Sequence, residues 1–75
     1  MPELTEHRFR DTKIGDIFYL PSDVEPIQTM SGKVIYRLKP DNSEGFIRID
    51  MPMKAVELRT GFTWDFRNDY TVFFG

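Results

Sequence analysis

Phe62, Trp64 and Phe66 alternate with Thr63 and Asp65. That period of two, in a bulky stretch bounded by turn formers, limits the fold more than any other feature of the chain. Side chains two apart share one face of a strand, whereas a helical stripe needs spacings of three and four. Arg59-Thr60-Gly61 reads as a three-residue hairpin loop with Gly61 left-handed, and Arg67-Asn68-Asp69 as a second such loop. The first loop pairs Leu58 with Phe62 and Val56 with Trp64. The second pairs Phe66 with Tyr70, Trp64 with Val72 and Phe62 with Phe74. Both put Val56, Leu58, Phe62, Trp64, Phe66, Tyr70, Val72 and Phe74 on one apolar face, with Trp64 in the core and Phe73 pointing away.

Upstream, Lys33 to Lys39 also alternates. Val34, Tyr36 and Leu38 share one face, and Lys33, Ile35, Arg37 and Lys39 the other. Pro40 to Gly45 is rich in turn formers, and Phe46 to Met51 follows as a strand. Pairing Lys39 with Phe46 sets Leu38 opposite Ile47, Tyr36 opposite Ile49 and Val34 opposite Met51. A one-residue slip would turn Arg48 and Asp50 to the apolar face, so burial selects this register. Gly15-Asp16 turns into the strand Ile17 to Leu20. Residues 21 to 32 hold two prolines and a glycine and read as a long loop, with room for a short strand around Ile27 to Met30. Residues 1 to 12 are polar and aperiodic. They read as an N-terminal tail or arm, with Phe9 the first anchor and residues 13 to 75 the single β-domain.

The expected fold is all-β: a small antiparallel meander of five to six strands, curled into a partly open SH3-like or OB-like barrel. A flat sheet of this size would leave its aromatic face wet. With 75 residues the chain has room for one domain, and such a domain buries only about 60% of its unfolded surface. Cysteine is absent, so neither a disulfide nor a thiolate metal site can add to the core. His7 is the single histidine, which rules out a multi-histidine metal site. A partner subunit is the remaining way to add to a small core.

Hydrophobic residues make up 40% of the chain and charged residues 29%, a globular balance. The net charge of -2 counts against broad nucleic-acid binding, which favours a basic excess, and is too small for a nucleic-acid mimic. Met1 to Arg10 has no apolar run of the kind a secretory signal carries, and no stretch reaches the length of a membrane span. With cysteine absent, the expectation is a cytoplasmic protein, in a host cell or a virion if phage-encoded.

Catalytic groups are sparse. Nucleophilic catalysis needs a nucleophile beside a base, and His7 falls in the expected tail. Glu57 and Asp65 fall on the outer face of neighbouring strands, where local ion pairing explains them. Asp41-Asn42-Ser43-Glu44-Gly45 carries ligand-type oxygens but has no calcium-loop spacing. No glycine pattern cradles a phosphate. The expectation is a protein without catalytic residues, metal, cofactor or small-molecule substrate.

Two binding surfaces stand out. Ile35, Phe46, Phe73 and Met53 are surplus apolar residues that could contact a protein partner, a host protein or another copy of the chain. Lys33, Arg37, Lys39 and Arg48 share the outer face of the expected hairpin with Ile35 and Phe46. Cations that track phosphates beside a ring that stacks on bases would suit a nucleic acid.

The opening Phe9-Arg10-Asp11-Thr12-Lys13-Ile14-Gly15-Asp16-Ile17-Phe18 resembles the start of many small phage and bacterial β-proteins, where a Lys-x-Gly-Asp-x-Phe turn leads into the first barrel strand. It is also similar to the first strand of SH3-like barrels. The resemblance covers about ten of the 75 residues. It implies a compact barrel of phage or mobile-element origin and carries no site residues. The leading functional expectation is a non-catalytic protein-interaction module, such as a phage structural or accessory subunit or a host-protein inhibitor. The alternative is a nucleic-acid-binding barrel.

Overall fold

The structure is a computed structural model that describes residues 3–40 and 43–75. It is all-β and antiparallel, and among the described residues the helical pieces are short turns at Phe9–Asp11 and Pro21–Asp23. The described residues hold eight short strands: β1 (Thr5–Arg8), β2 (Ile17–Phe18), β3 (Val24–Gln28), β4 (Val34–Leu38), β5 (Phe46–Arg48), β6 (Lys54–Glu57), β7 (Thr63–Asp65) and β8 (Thr71–Phe74). They pair as β1-β8, β3-β4 and β2-β5-β6-β7. Single bridges between Tyr19 and Phe73 and between Leu4 and Tyr36 link the three sheets. The ladder therefore runs β7-β6-β5-β2-β8-β1-β4-β3 and does not close into a barrel.

Two strands come from segments whose sequence reads as tail and loop. Residues 5 to 8 form β1, in register from Thr5 against Phe74 to Arg8 against Thr71. Phe9 is fully buried and stacks on Phe66 at 5.1 Å. His7 lies face to face with Phe74, with ring centroids 3.7 Å apart. The N-terminal segment is thus part of the domain from at least Leu4, which bridges to Tyr36. Polar side chains hide this strand, because Thr5 and Glu6 are exposed and the buried apolar residues, Leu4 and Phe9, lie just outside it. Met1 and Pro2 lie outside the described residues.

β3 replaces the expected long loop and takes β4 as its partner, from Val24 against Leu38 to Gln28 against Val34. The expected pairing of Leu38 with Ile47 is not formed. The reason is local closure: the Thr29 amide donates to the Lys33 carbonyl, the Gly32 amide donates to the Thr29 carbonyl, and Gly32 takes a φ of 85°. This tight turn closes a shorter loop than Lys39 to Gly45 would. β5 is left to pair with β2 and β6.

β5, β6 and β7 form the expected meander, but β6 and β7 are displaced by one residue. Ala55 opposes Trp64 and Val56 opposes Thr63. A four-residue loop, Leu58 to Gly61, replaces the three-residue one: the Glu57 amide donates to the Phe62 carbonyl, and Thr60 Oγ1 donates to Glu57. The slip moves Val56 and Leu58 off the core face. Packing volume explains it. Phe18, Phe46, Phe66 and Phe9 crowd one cluster with Ala55 and Val72, and only a small residue fits on β6 beneath those rings. β8 does not continue the meander. It lies between β1 and Tyr19, and a cluster packs against each of its faces: Val72 enters this first cluster, and Phe73 enters a second with Leu4 and Val24.

Candidate functional site

The register leaves an aliphatic row on the solvent side of the four-stranded sheet. Ile17 opposes Ile47, Ile47 opposes Val56, and Val56 opposes Thr63. None of the three aliphatic residues belongs to either core cluster. Ile17 is 46% exposed, and Ile14, Met51 and Met53 are exposed as well. The ion pair at this face is Lys54 with Asp65.

The opposite face ends in aromatics. Phe62 is 69% exposed, Trp64 42% and Tyr70 41%. Trp64 packs edge-on against Phe46, and Tyr70 tilts against Phe66. Leu20, Trp64, Phe66 and Tyr70, with Asp65 and Arg67, line an open groove of about 280 Å³. It sits where the ladder stops at β7, so the aromatics that a closed barrel would cover face solvent. The expectation that Phe62, Trp64 and Tyr70 would be core fails for this reason, while Phe66 and Val72 are buried as expected.

Of the expected partner-binding residues, Phe46 and Phe73 are buried, at 2% and 5% exposure, and cannot contact a partner. Phe46 faces the core with Phe18, and Phe73 packs against Tyr36 at 5.0 Å. Ile35 is half-buried beside Ile27 on the outer face of the β3-β4 hairpin. Met53 is exposed in the turn before β6 with a φ of 60°, and its carbonyl accepts the Phe66 amide.

The expected basic face divides. Lys33, Arg37 and Lys39 are exposed along β4, but Glu25 stands opposite Arg37 in register. Arg48 is on β5 and turns inward. Its Nη1 donates to the Phe9 carbonyl at 3.1 Å and to Thr12 Oγ1 at 2.7 Å, and the guanidinium lies 4.2 Å from the Phe9 ring centroid. Arg48 therefore latches the N-terminal turn onto the core and is not available to a phosphate. Its Nε is buried without a partner among the described residues.

Glu57 and Asp65 do not form a pair. The β6-β7 register places Asp65 with Lys54 on one face and Glu57 with Ala55 on the other, correcting the expectation that Glu57 and Asp65 share the outer face. A shallow polar cleft of about 110 Å³ gathers Asp23, Glu44, Glu57 and Arg59. No group of three or more potential ligands is placed to hold a metal among the described residues. Asp41 and Asn42, the start of the oxygen-rich turn, lie outside the described residues. No described helix is long and apolar enough to cross a membrane.

The strand edges at the two ends of the ladder were not anticipated from sequence. β3 is one and β7 the other. The Thr29–Lys33 and Lys39–Asp23 backbone bonds fix the odd residues of β3 as those bonded to β4, so Val24, Pro26 and Gln28 turn their backbone outward. In β7, the Glu57–Phe62 and Phe66–Met53 bonds turn Trp64 toward β6 and leave Thr63 and Asp65 facing out. A sequence signal for one edge was present in Pro26, which cannot donate to a ladder. No family model matches the chain, and no curated protein or solved structure is significantly similar to it.

Proposed function

We propose that the chain is a non-catalytic protein-interaction module that engages a partner through the aliphatic row Ile17, Ile47 and Val56. The observation that carries this reading is the position of that row: three neighbouring strands align branched aliphatics outside both core clusters, with Ile17 exposed and Ile47 and Val56 half-buried. Apolar patches of this kind on small soluble domains mark contact surfaces, and the exposed Met51 and Met53 nearby add adaptable ones. The placement of Glu57 and Asp65 on opposite faces of the sheet supports a binding role over a catalytic one. A small phage accessory subunit or a host-protein inhibitor is the finer form of this reading, and it rests on the opening segment's resemblance alone. The nucleic-acid reading is weaker, since Arg48 is committed to the core and Glu25 offsets Arg37.

The test pairs the wild-type protein with an Ile17→Glu, Val56→Glu variant, both immobilised and exposed to lysate of the source cell. The expected result is a protein retained by the wild type and lost from the variant, while the variant keeps its circular dichroism spectrum. Identical retention by both, or none by either, sinks the reading.

A further inference from the structure

The two edges of the ladder are treated differently by the sequence. Proline at the centre of β3 removes the outward amide that a second strand would need, the usual means of blunting an edge. β7 has no proline, and its protection is limited to its three-residue length and the charge of Asp65. Its outward amides and carbonyls at Thr63 and Asp65 carry no proline, Trp64 and Tyr70 line the groove beside them, and Phe62, the residue before the strand, is exposed.

We infer that β7 pairs with β7 of a second copy across a twofold axis, joining two four-stranded sheets into one of eight. Antiparallel pairing of an edge with itself is self-complementary. Charge selects the register. Setting Thr63 opposite Asp65 of the second copy gives four backbone hydrogen bonds, and each carboxylate meets a hydroxyl. Moving the register one way sets Asp65 against Asp65, a like-charge pair directly across the strands. Moving it the other way sets Asp65 against Gly61, whose φ of 78° is not extended. In the chosen register Trp64 faces its own copy in the close, non-hydrogen-bonded position, and Phe62 lies against the Phe66 end of the groove. The rings left wet by the unclosed ladder are then covered.

β7 is three residues long, so an interface built on it is small and belongs to the transient end of the range. The expected dissociation constant is on the order of 100 µM. This pairing uses a different surface from the aliphatic row and stands or falls separately from it.

The test is sedimentation velocity of the full chain from about 10 µM to 1 mM, with Trp64 fluorescence as a second readout, since Trp64 is the single tryptophan. The wild type is expected to pass from monomer to dimer, with a blue shift of the tryptophan emission. Thr63→Pro removes an outward amide without touching the β6 ladder, and is expected to remain monomeric. Thr63→Asp sets like charges across both symmetric contacts, and is expected to bind about tenfold more weakly. The swap Thr63→Asp with Asp65→Thr restores the complementary pairs and is expected to recover the wild-type dimer. Ile17→Glu on the aliphatic row should leave the dimer unchanged. A wild type that is monomeric at 1 mM overturns the proposal and leaves the edge to a foreign strand. So does a Thr63→Asp variant that dimerises like the wild type, or a swap that fails to recover.

Discussion

The β3 edge and the β7 edge are both ends of one open ladder, yet they differ in chemistry. At β3 the outward backbone positions are Val24, Pro26 and Gln28, and the inner side chains of the hairpin reach the second cluster through Val24, Tyr36 and Leu38. At β7 the outward positions are Thr63 and Asp65, and the aromatics beside them are half wet. A sheet that does not close must manage two sets of unpaired backbone groups. Here proline manages one set, and the other is free next to an apolar groove. Unblocked backbone groups beside unburied rings are where recognition is to be sought, more than on the basic hairpin that the sequence pattern highlights.

The largest change expected is from Phe9→Ala, which should remove this contrast altogether. Phe9 is fully buried among Phe18, Phe66 and the Arg48 guanidinium. Its truncation should cost about 3–5 kcal/mol. A domain of this size has a total stability of about 4–11 kcal/mol at most, so urea unfolding followed by circular dichroism should show a midpoint collapsing toward zero. A midpoint shift of under a fifth would mean the N-terminal segment is not part of the core.

Arg48→Met should act on the β7 side of the molecule more than on the hairpin. It removes the bonds to Phe9 and Thr12 while keeping much of the side-chain volume, at an expected cost of about 1–2 kcal/mol. Thr12 Oγ1 still donates to the Phe9 carbonyl, which limits the loss. Hydrogen exchange should show faster opening at Thr12 and in β5, with β3 and β4 unchanged; equal loss in both regions would show that the two edges belong to one cooperative unit.

Pro26→Val should erase the difference between the edges without unfolding the protein. The outward position asks for no bond to β4, so stability should shift by less than about 1 kcal/mol. With two open edges each molecule can add a neighbour on either side, and light scattering should detect concentration-dependent assemblies larger than a dimer. A variant with the same mass as the wild type at every concentration would show that Pro26 protects nothing.

Lys54→Met should have the smallest effect. The Lys54–Asp65 pair is on the solvent face of β6 and β7, and its carboxylate side is largely exposed. Its loss should change stability by about 0.2–1 kcal/mol, and less at high salt. A larger loss, measured by thermal melting in low and high salt, would mean the pair fixes the edge strand's position.

Much of the strand content could be read directly from the residues. The alternation in Val34 to Leu38 and in Phe62 to Phe66, and the turns at Gly15, Gly32 and Gly61, mark where strands run and stop. Arg48 is legible as a cation on a strand, but its partners are the Phe9 carbonyl and the Thr12 hydroxyl, about 40 residues upstream, and no local pattern announces such a latch. The sequence pattern turns Phe73 outward because it gives β8 one buried face. As a central strand with neighbours on both sides and a cluster against each face, it buries both Val72 and Phe73.

By itself, the sequence determined the all-β class, because the period of two and the turn chemistry act over a few residues and need no distant partner. It also excluded disulfides and thiolate metal sites by composition. Only the tertiary structure decided which strands pair, which face of β6 is buried, and where the ladder is left open. Hydrophobicity favours burying Val56 and Leu58, yet four aromatic rings on the neighbouring elements leave room only for Ala55. Volume shared among residues far apart in the chain sets that choice. It carries the aliphatic row to one surface and the unpaired β7 edge to another.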